Sequence, residues 1–403
     1  MATVGFKNSN GTDLGDNLVP KQYLLDRYPE LADTFRFAGL WLWGAGDFGS
    51  LGDNAITRKS SPVQTVSGGA NWKQISCSNH SSAIKTDGTL WTWGGNGSGQ
   101  LGDNTGGAGT GKSSPVQTVS GGTNWKQVSN GANHTAAIKT DGTLWTWGQN
   151  ANGQLGDNGF ANMLSPVQTI SGGTNWKSVA CGSTHTAAIK TNGTLWLWGQ
   201  NASGQLGDNG ITNMSSPVQT VAGGTSWKQI SAGSQHTAAI KTDNTLWVWG
   251  YNFNGELGTN NVVYYSSPVQ TTSGGTTWKQ VSCGIDHTMA IKTDGTLWTW
   301  GSNVYGQLGD NTDVNKSSPI QTISGGTNWK QISIGSNFTT SAALKTDGTL
   351  WSWGENQYGT LGANDRTRRS SPIQTVSGGT NWTYISYGTN ISAAIRDNSN
   401  DYI

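Results

Sequence analysis

Apolar and polar positions recur along most of this chain with a period of 50 to 54 residues, and each period contains four short alternating stretches. Residues 176–220 show one unit. Trp176–Cys181 (WKSVAC) alternates and predicts a first strand, and Thr186–Lys190 (TAAIK) predicts a second. Asn192-Gly193 between them and the next apolar run predicts a tight hairpin with both central residues at positive φ. Leu195–Trp198 (LWLW) is the third strand, and Gly199, Gly204 and Gly207 punctuate the loop that follows. Ser216–Thr220 (SPVQT) is the fourth. Pro217 removes a ladder donor there, which suits an outer edge.

Leu-Trp-x-Trp-Gly occurs seven times, with its first Trp at 41, 91, 145, 196, 247, 298 and 351. Gly-Gly-x-x-Trp also occurs seven times, and together the two patterns account for all 21 Trp. Four short strands per unit without helices predict an all-β, seven-bladed β-propeller. The first LWLW (Leu40–Trp43) has no first or second strand before it, and the last unit stops after Ser392–Arg396. The N-terminal strands should therefore complete the last blade as its outer half, which closes the ring and removes free sheet edges. The chain divides into an arm (1–39), the propeller (40–396) and a short tail (397–403). Val19–Phe37 of the arm predicts two short helical pieces. Tyr23, Leu24, Leu25, Tyr28, Leu31 and Phe35 give them more apolar surface than they can bury alone, so the arm is expected to dock.

Composition narrows the function. Charged residues are 12% and the net charge is +1, so no overall field draws the chain to nucleic acid. No apolar run is long enough to enter a membrane, and the first residues contain no apolar signal core. These features predict assembly in the cytoplasm.

The candidate chemistry is dispersed around the ring. His80, His134, His185, His236 and His287 occupy one repeat position, with Phe338 and Ile391 near it in the last two units. Identical residues in separate blades do not converge, so they read as hydrogen-bonding histidines at strand starts. Cys77, Cys181 and Cys283 are equivalent positions in alternate units, too far apart for a disulfide or zinc. The Gly-Asp-Asn aspartates (Asp53, Asp103, Asp157, Asp208, Asp310) lack calcium-loop spacing and predict Asx turns. Lys85, Lys139, Lys190, Lys241, Lys292 and Lys345 lie beside Asp-Gly turns and predict a solvated, self-neutralising rim. Nothing assembles a nucleophile, a base and an oxyanion site, so neither an enzyme nor a cofactor is expected.

The units differ chiefly between GQLGDN and SPVQT, where variable loops on a constant scaffold can present a binding surface. Candidate surface residues are Phe253, Tyr264, Tyr265, Tyr305 and Tyr358, together with a basic patch that ring closure should assemble. Arg58 and Lys59 belong to the closing blade, and Arg366, Arg368 and Arg369 to the blade before it. Asp365 is the only acid in either loop. Such a patch could take an acidic neighbour or an anionic surface glycan.

The unit G-x-x-H-T-x-A-I/L…D-G-x-L-W-x-W-G-x-N…G-Q-L-G resembles the regulator of chromosome condensation repeat over residues 40 to 396. That family includes a guanine-nucleotide exchange factor bound to chromatin. The wedge insertion and basic tail of that member are missing here. It also includes the plant ultraviolet-B photoreceptor with its Gly-Trp-Arg-His-Thr repeat. The matching stretches here, such as Gly131-Ala132-Asn133-His134-Thr135, lack Trp-Arg. The arm, with YLLDRYP, resembles the opening of structural proteins of tailed-bacteriophage virions. Together these resemblances imply a non-enzymatic propeller in a virion that contacts other structural proteins through its arm. The alternative is a cellular protein–protein interaction scaffold.

Overall fold

The computed structural model describes residues 38–66, 71–335 and 339–397. The arm residues Tyr23, Leu24, Leu25, Tyr28, Leu31 and Phe35 lie outside that set. Seven four-stranded antiparallel sheets form the blades. In the third blade the strands are Trp176–Cys181, His185–Lys190, Leu195–Gly199 and Met214–Gln219, in that spatial order. The first strand of each blade lines the central channel and the fourth is outermost, so Pro217 sits on the outer edge.

The ring closes as the incomplete end units require. The last sheet runs Lys59–Gln64, Ala38–Gly44, Ile391–Asp397, Trp382–Tyr387, which joins both ends of the chain in one blade. Its middle pair is in continuous register from Ala38↔Asp397 to Gly44↔Ile391.

The hairpin between second and third strands differs from the expectation. Gly193 has φ +81 and Asn192 is not at positive φ, because the Lys190 carbonyl accepts from Gly193 while Lys190 N–H donates to Thr194. One left-handed residue is enough for this three-residue loop. In the fourth blade Asn244 fills that position at φ 64. Asn192 instead uses its side chain, accepting from the Thr194 amide and hydroxyl.

The core lies between blades. Trp227, Ile230 and Trp249 pack with Ala187, Ile189, Leu195 and Leu197 of the preceding blade. Sheets covered on both faces by neighbours explain why Trp and Leu do not segregate to one side of a strand.

Candidate functional site

Each blade is bolted to the next by one recurring cluster. The third-strand Trp147 donates its Nε1–H to the Gln100 carbonyl of the preceding blade at 2.9 Å. Thr135 donates its hydroxyl to the same carbonyl at 2.9 Å. His80 of the preceding blade reaches Thr135 Oγ1 at 2.7 Å. The hydroxyl proton is committed to the carbonyl, so His80 must donate from Nε2, and Nδ1 is left as a bare acceptor. That nitrogen is buried without a partner in all five histidines. Burial pushes His80, His134, His236 and His287 down to about 3 and His185 to about 4, so all five rings are neutral. Gly131 is required beside His134 because a Cβ there would lie 2.4 Å from Nδ1. The histidines are therefore structural, as their dispersion predicts. In the sixth and seventh blades Thr340 and Ile391 take the position, while Phe338 lies outside the described residues.

The other repeated candidates are structural as well. Cys77, Cys181 and Cys283 are buried and free, with thiols pushed up to about 12 by burial. The Asp103 carboxylate accepts from the Thr105 amide in an Asx turn, and Asp157 and Asp208 do the same at Gly159 and Gly210.

The lysine rim is a correction. Lys190 Nζ stands 4.8 Å from the Trp176 ring and 4.7 Å from Trp196, and the other five lysines repeat that geometry. The cation sits over indole faces instead of forming an ion pair with the turn Asp, although its charge still helps to lower that carboxyl, as Lys139 does for Asp141. The turn carboxylate is occupied elsewhere. The amide and hydroxyl of Thr143 hold the Asp141 carboxyl below its ordinary value, and Trp145 in turn donates to Thr143 Oγ1. Sequence reading missed a second ring at the start of the inner strands. Lys73, Lys126, Lys177, Lys228, Lys279 and Lys330 are exposed, and all but Lys177 stand one residue before a channel-lining Gln. Their constant place after the Gly-Gly-x-x-Trp Trp is the signal that marked them.

The basic patch is also corrected. The two loops are neighbours, as the Asn364 amide donating to the Ser60 carbonyl shows. Its charge, however, is largely spent. Arg369 pairs with Asp365 at 2.6 Å, Arg368 with Asp313 of the fifth blade at 2.8 Å, and Lys59 lies 3.9 Å from Asp53. Arg58 stacks over Tyr358 at 4.6 Å. Asp313 and Asp53 lie outside the two loops, so counting charges loop by loop missed them. Among the described residues, Arg366 is the exposed cation of the five without an ion pair or ring contact.

The variable loops do converge on one face. Phe48 is 73% exposed and Phe253 66%, and Tyr264 and Tyr305 are exposed too, alongside Ile56, Ile211 and Val314. Tyr358 and Tyr265 are half-buried. Tyr358 packs on the core under Arg58, and Tyr265 hydrogen-bonds Asn261. On this face a cleft of about 760 Å³ spans the closing blade and the first two blades, lined by Phe48, Ile56, Asn79, Asn96, Asn133 and Asn390. The central channel holds about 230 Å³. Its Gln side chains are used as clamps, Gln127 accepting from the Val179 amide and donating to the Val179 carbonyl. Among the described residues no helix is long and apolar enough to cross a membrane.

Residues 38–277 match the RCC1-like domain, and residues 278–307, 329–360 and 347–395 match the regulator of chromosome condensation (RCC1) repeat. The Ultraviolet-B receptor UVR8 of Arabidopsis thaliana is 35% identical over 261 residues, 61% of this chain and 57% of that protein. The X-linked retinitis pigmentosa GTPase regulator homolog of Caenorhabditis elegans is 28% identical over 282 residues, 59% of this chain and 20% of that protein. The match thus spans little more than half of the first relative and a fifth of the second. Among solved structures, yeast RCC1 (Prp20) bound to Kap60 superposes with a TM-score of 0.78 at 18% identity, covering 90% of this chain and 89% of that one. Human WBSCR16 gives 0.77 at 20% identity, covering 89% and 99%. At those identities the likeness shows the fold. The chain belongs to the regulator of chromosome condensation (RCC1) repeat family.

Proposed function

We propose that this propeller is a non-catalytic, protein-binding scaffold whose working surface is the face carrying the variable third-to-fourth-strand loops. The observation that carries this reading is the concentration of exposed aromatic and aliphatic side chains, Phe48, Phe253, Tyr264 and Tyr305 among them, on the loops in which the units differ. A rigid ring that fixes seven loop bases presents such side chains at low ordering cost, and exposed aromatics are typical binding anchors. The relatives bear names of cellular receptors and regulators, which favours a cellular interaction scaffold over a virion component. The virion reading rests on the arm alone. Anionic-glycan docking at Arg58, Lys59, Arg366, Arg368 and Arg369 loses support from the ion pairs that occupy the patch.

The test compares bound partners by quantitative affinity purification. Phe253→Ser/Tyr264→Ser/Tyr305→Ser should lose partners that Val119→Ser/Val221→Ser, altered at exposed residues that follow the outer strands, retains. Equal partner sets for the two variants would refute the assignment of the working face.

A further inference from the structure

The notches between neighbouring blades on the variable-loop face share one frame with a varied lining, and in one of them two acids and a tyrosine coincide. The Gln of Gly-Gln-Leu-Gly is Gln100, Gln154, Gln205 and Gln307 in four blades but Glu256 in the fourth blade. The residue before the second-strand His is Asn79, Asn133, Thr184 and Gln235, but Asp286 in the fifth blade. The residue after the third strand varies, being Gly95, Gln149, Gln200, Ser302, Glu355 and Ala45 in the other blades, and is Tyr251 in the fourth.

These three meet at the junction of blades four and five. Glu256 and Asp286 flank Gly301, where a Cβ would lie 3.2 Å from Glu256 Cα and 2.5 Å from the Asp286 carbonyl oxygen. The Glu256 side chain is fully buried. Its Oε2 accepts from the Asn254 amide at 2.7 Å, while Oε1 is buried with no partner. Gln154 and Gln205 leave Nε2 open at the same position, so several notches keep one unfilled hydrogen-bonding place. Only the fourth blade fills that position with an acid. Tyr251 forms the adjoining wall, with its ring 4.7 Å from Tyr264 and 6.4 Å from Phe253.

Neither acid has an ion pair among the described residues. Burial pushes Glu256 up to about 8, with the Asp286 charge adding to the rise, and burial raises Asp286 too. Two unpaired carboxyl groups in a desolvated notch are what an incoming cation would relieve. A metal ion is disfavoured, because no group of three metal-ligating side chains occurs among the described residues. The aromatic wall favours an organic cation. Beyond the acids, Phe253 and Tyr264 offer exposed apolar surface to the chain that would carry it.

We propose that the notch between blades four and five receives the ammonium or guanidinium of one Lys or Arg side chain from an extended basic segment of a partner protein. Glu256 and Asp286 hold the charge, and Tyr264 and Phe253 cover the aliphatic stem. This deepens the reading of the variable-loop face as the binding face and rests on it.

The test is calorimetry on the full chain at pH 8.5 with capped peptides that differ at one central residue, Lys, Arg or norleucine, and with spermidine. Glu256→Gln and Asp286→Asn restore residues the repeat already uses at these positions, so both variants should keep the fold, as their melting curves will show. The Lys and Arg peptides should bind, and binding should fall at least about tenfold for norleucine and for each variant. Affinity should also weaken about tenfold per pH unit below 8, because the proton on Glu256 competes with the cation. No binding of either basic peptide at millimolar concentration would overturn the proposal, as would equal binding by Glu256→Gln or by norleucine. Spermidine binding more tightly than both peptides would overturn the assignment to a protein segment. The notch can fail while the Phe253/Tyr264/Tyr305 variant still loses partners, in which case only this inference falls.

Discussion

Lowering the pH should open this ring through its five buried histidines. Each imidazole is fully buried and neutral in the fold, with its acid form depressed to about 3 or 4 by burial, whereas the unfolded chain titrates near 6.5. The unfolded state therefore binds protons first, and stability present above pH 6.5 is lost as pH falls toward the folded value. At pH 5.5 each histidine forfeits about 1.4 kcal/mol and the five together about 7 kcal/mol, comparable to the roughly 5–15 kcal/mol that holds a typical domain together. Carboxylates held low by their turns, such as Asp141, lose their contribution only near and below pH 4, so the two windows separate. Tryptophan fluorescence and circular dichroism against pH should show one cooperative loss between about pH 6 and 4.5. Changing one histidine to Gln, which keeps a donor to the neighbouring hydroxyl, should move the midpoint down by about 0.3 pH unit once its effect at pH 8 is subtracted. A midpoint near pH 3, or one indifferent to the number of histidines, would mean that the rings accept protons inside the fold and would refute the reasoning.

Three further outcomes follow from the same contacts. Glu256 is raised in the fold, so its contribution is full below about pH 4.5 and is lost as pH rises through about 8. Glu256→Gln should remove a slope of up to about 1.4 kcal/mol per pH unit in that window, read by denaturant melts at pH 5, 7 and 9. Lys190→Met should cost about 1 kcal/mol by loss of the ammonium from two indole faces, and Lys190→Arg should restore most of it in the same melts. Removing Thr389–Ile403 deletes the strand Ile391–Asp397 that joins the two halves of the closing blade. The truncated chain should melt lower and self-associate through the exposed edges, and an unchanged melting temperature with a monomeric elution profile would contradict the closure.

The ring and its closure were legible because strands of period two, punctuated by Gly and Pro, recur in every unit, and a repeat that begins with an outer half and ends with an inner half has one way to complete itself. What escaped depends on register and on neighbours. Lys190 pairs across the ladder with Trp176, which brings its ammonium over indoles on two strands; nothing adjacent in sequence marks that, whereas Asp-Gly beginning two residues further on in most units draws the eye to charge. The ion pairs of the basic patch escaped for a related reason. Arg368 is some fifty residues from Asp313 in the chain but one blade away in space, so the acids that matter to it belong to another unit. Asn192 was given a left-handed backbone that only Gly193 requires.

Departures from the repeat carry two different meanings, and their places in the ring tell them apart. The His position is lost at Thr340 and Ile391, so the junctions without an imidazole latch are the two that flank the closing blade. Both keep the regular bolts: Trp43 Nε1 and Ser392 Oγ donate to the Thr360 carbonyl, Trp93 Nε1 and Ser81 Oγ donate to the Ser50 carbonyl, and Ser386 Oγ accepts from the Cys77 amide. These substitutions drop the imidazole from junctions whose other fastenings persist. The departures at Glu256, Asp286 and Tyr251 replace nothing, since the latch there is complete. Thr288 and Trp300 both donate to the Glu256 carbonyl at 2.8 Å, and His236 reaches Thr288 at 2.9 Å. The backbone of Glu256 is thus fixed by one of the regular bolts of the ring, while its carboxyl is left buried with an open acceptor. A carboxyl held in that way has no ion pair among the described residues, and a rigid support around an unsatisfied group is the arrangement that favours binding from outside.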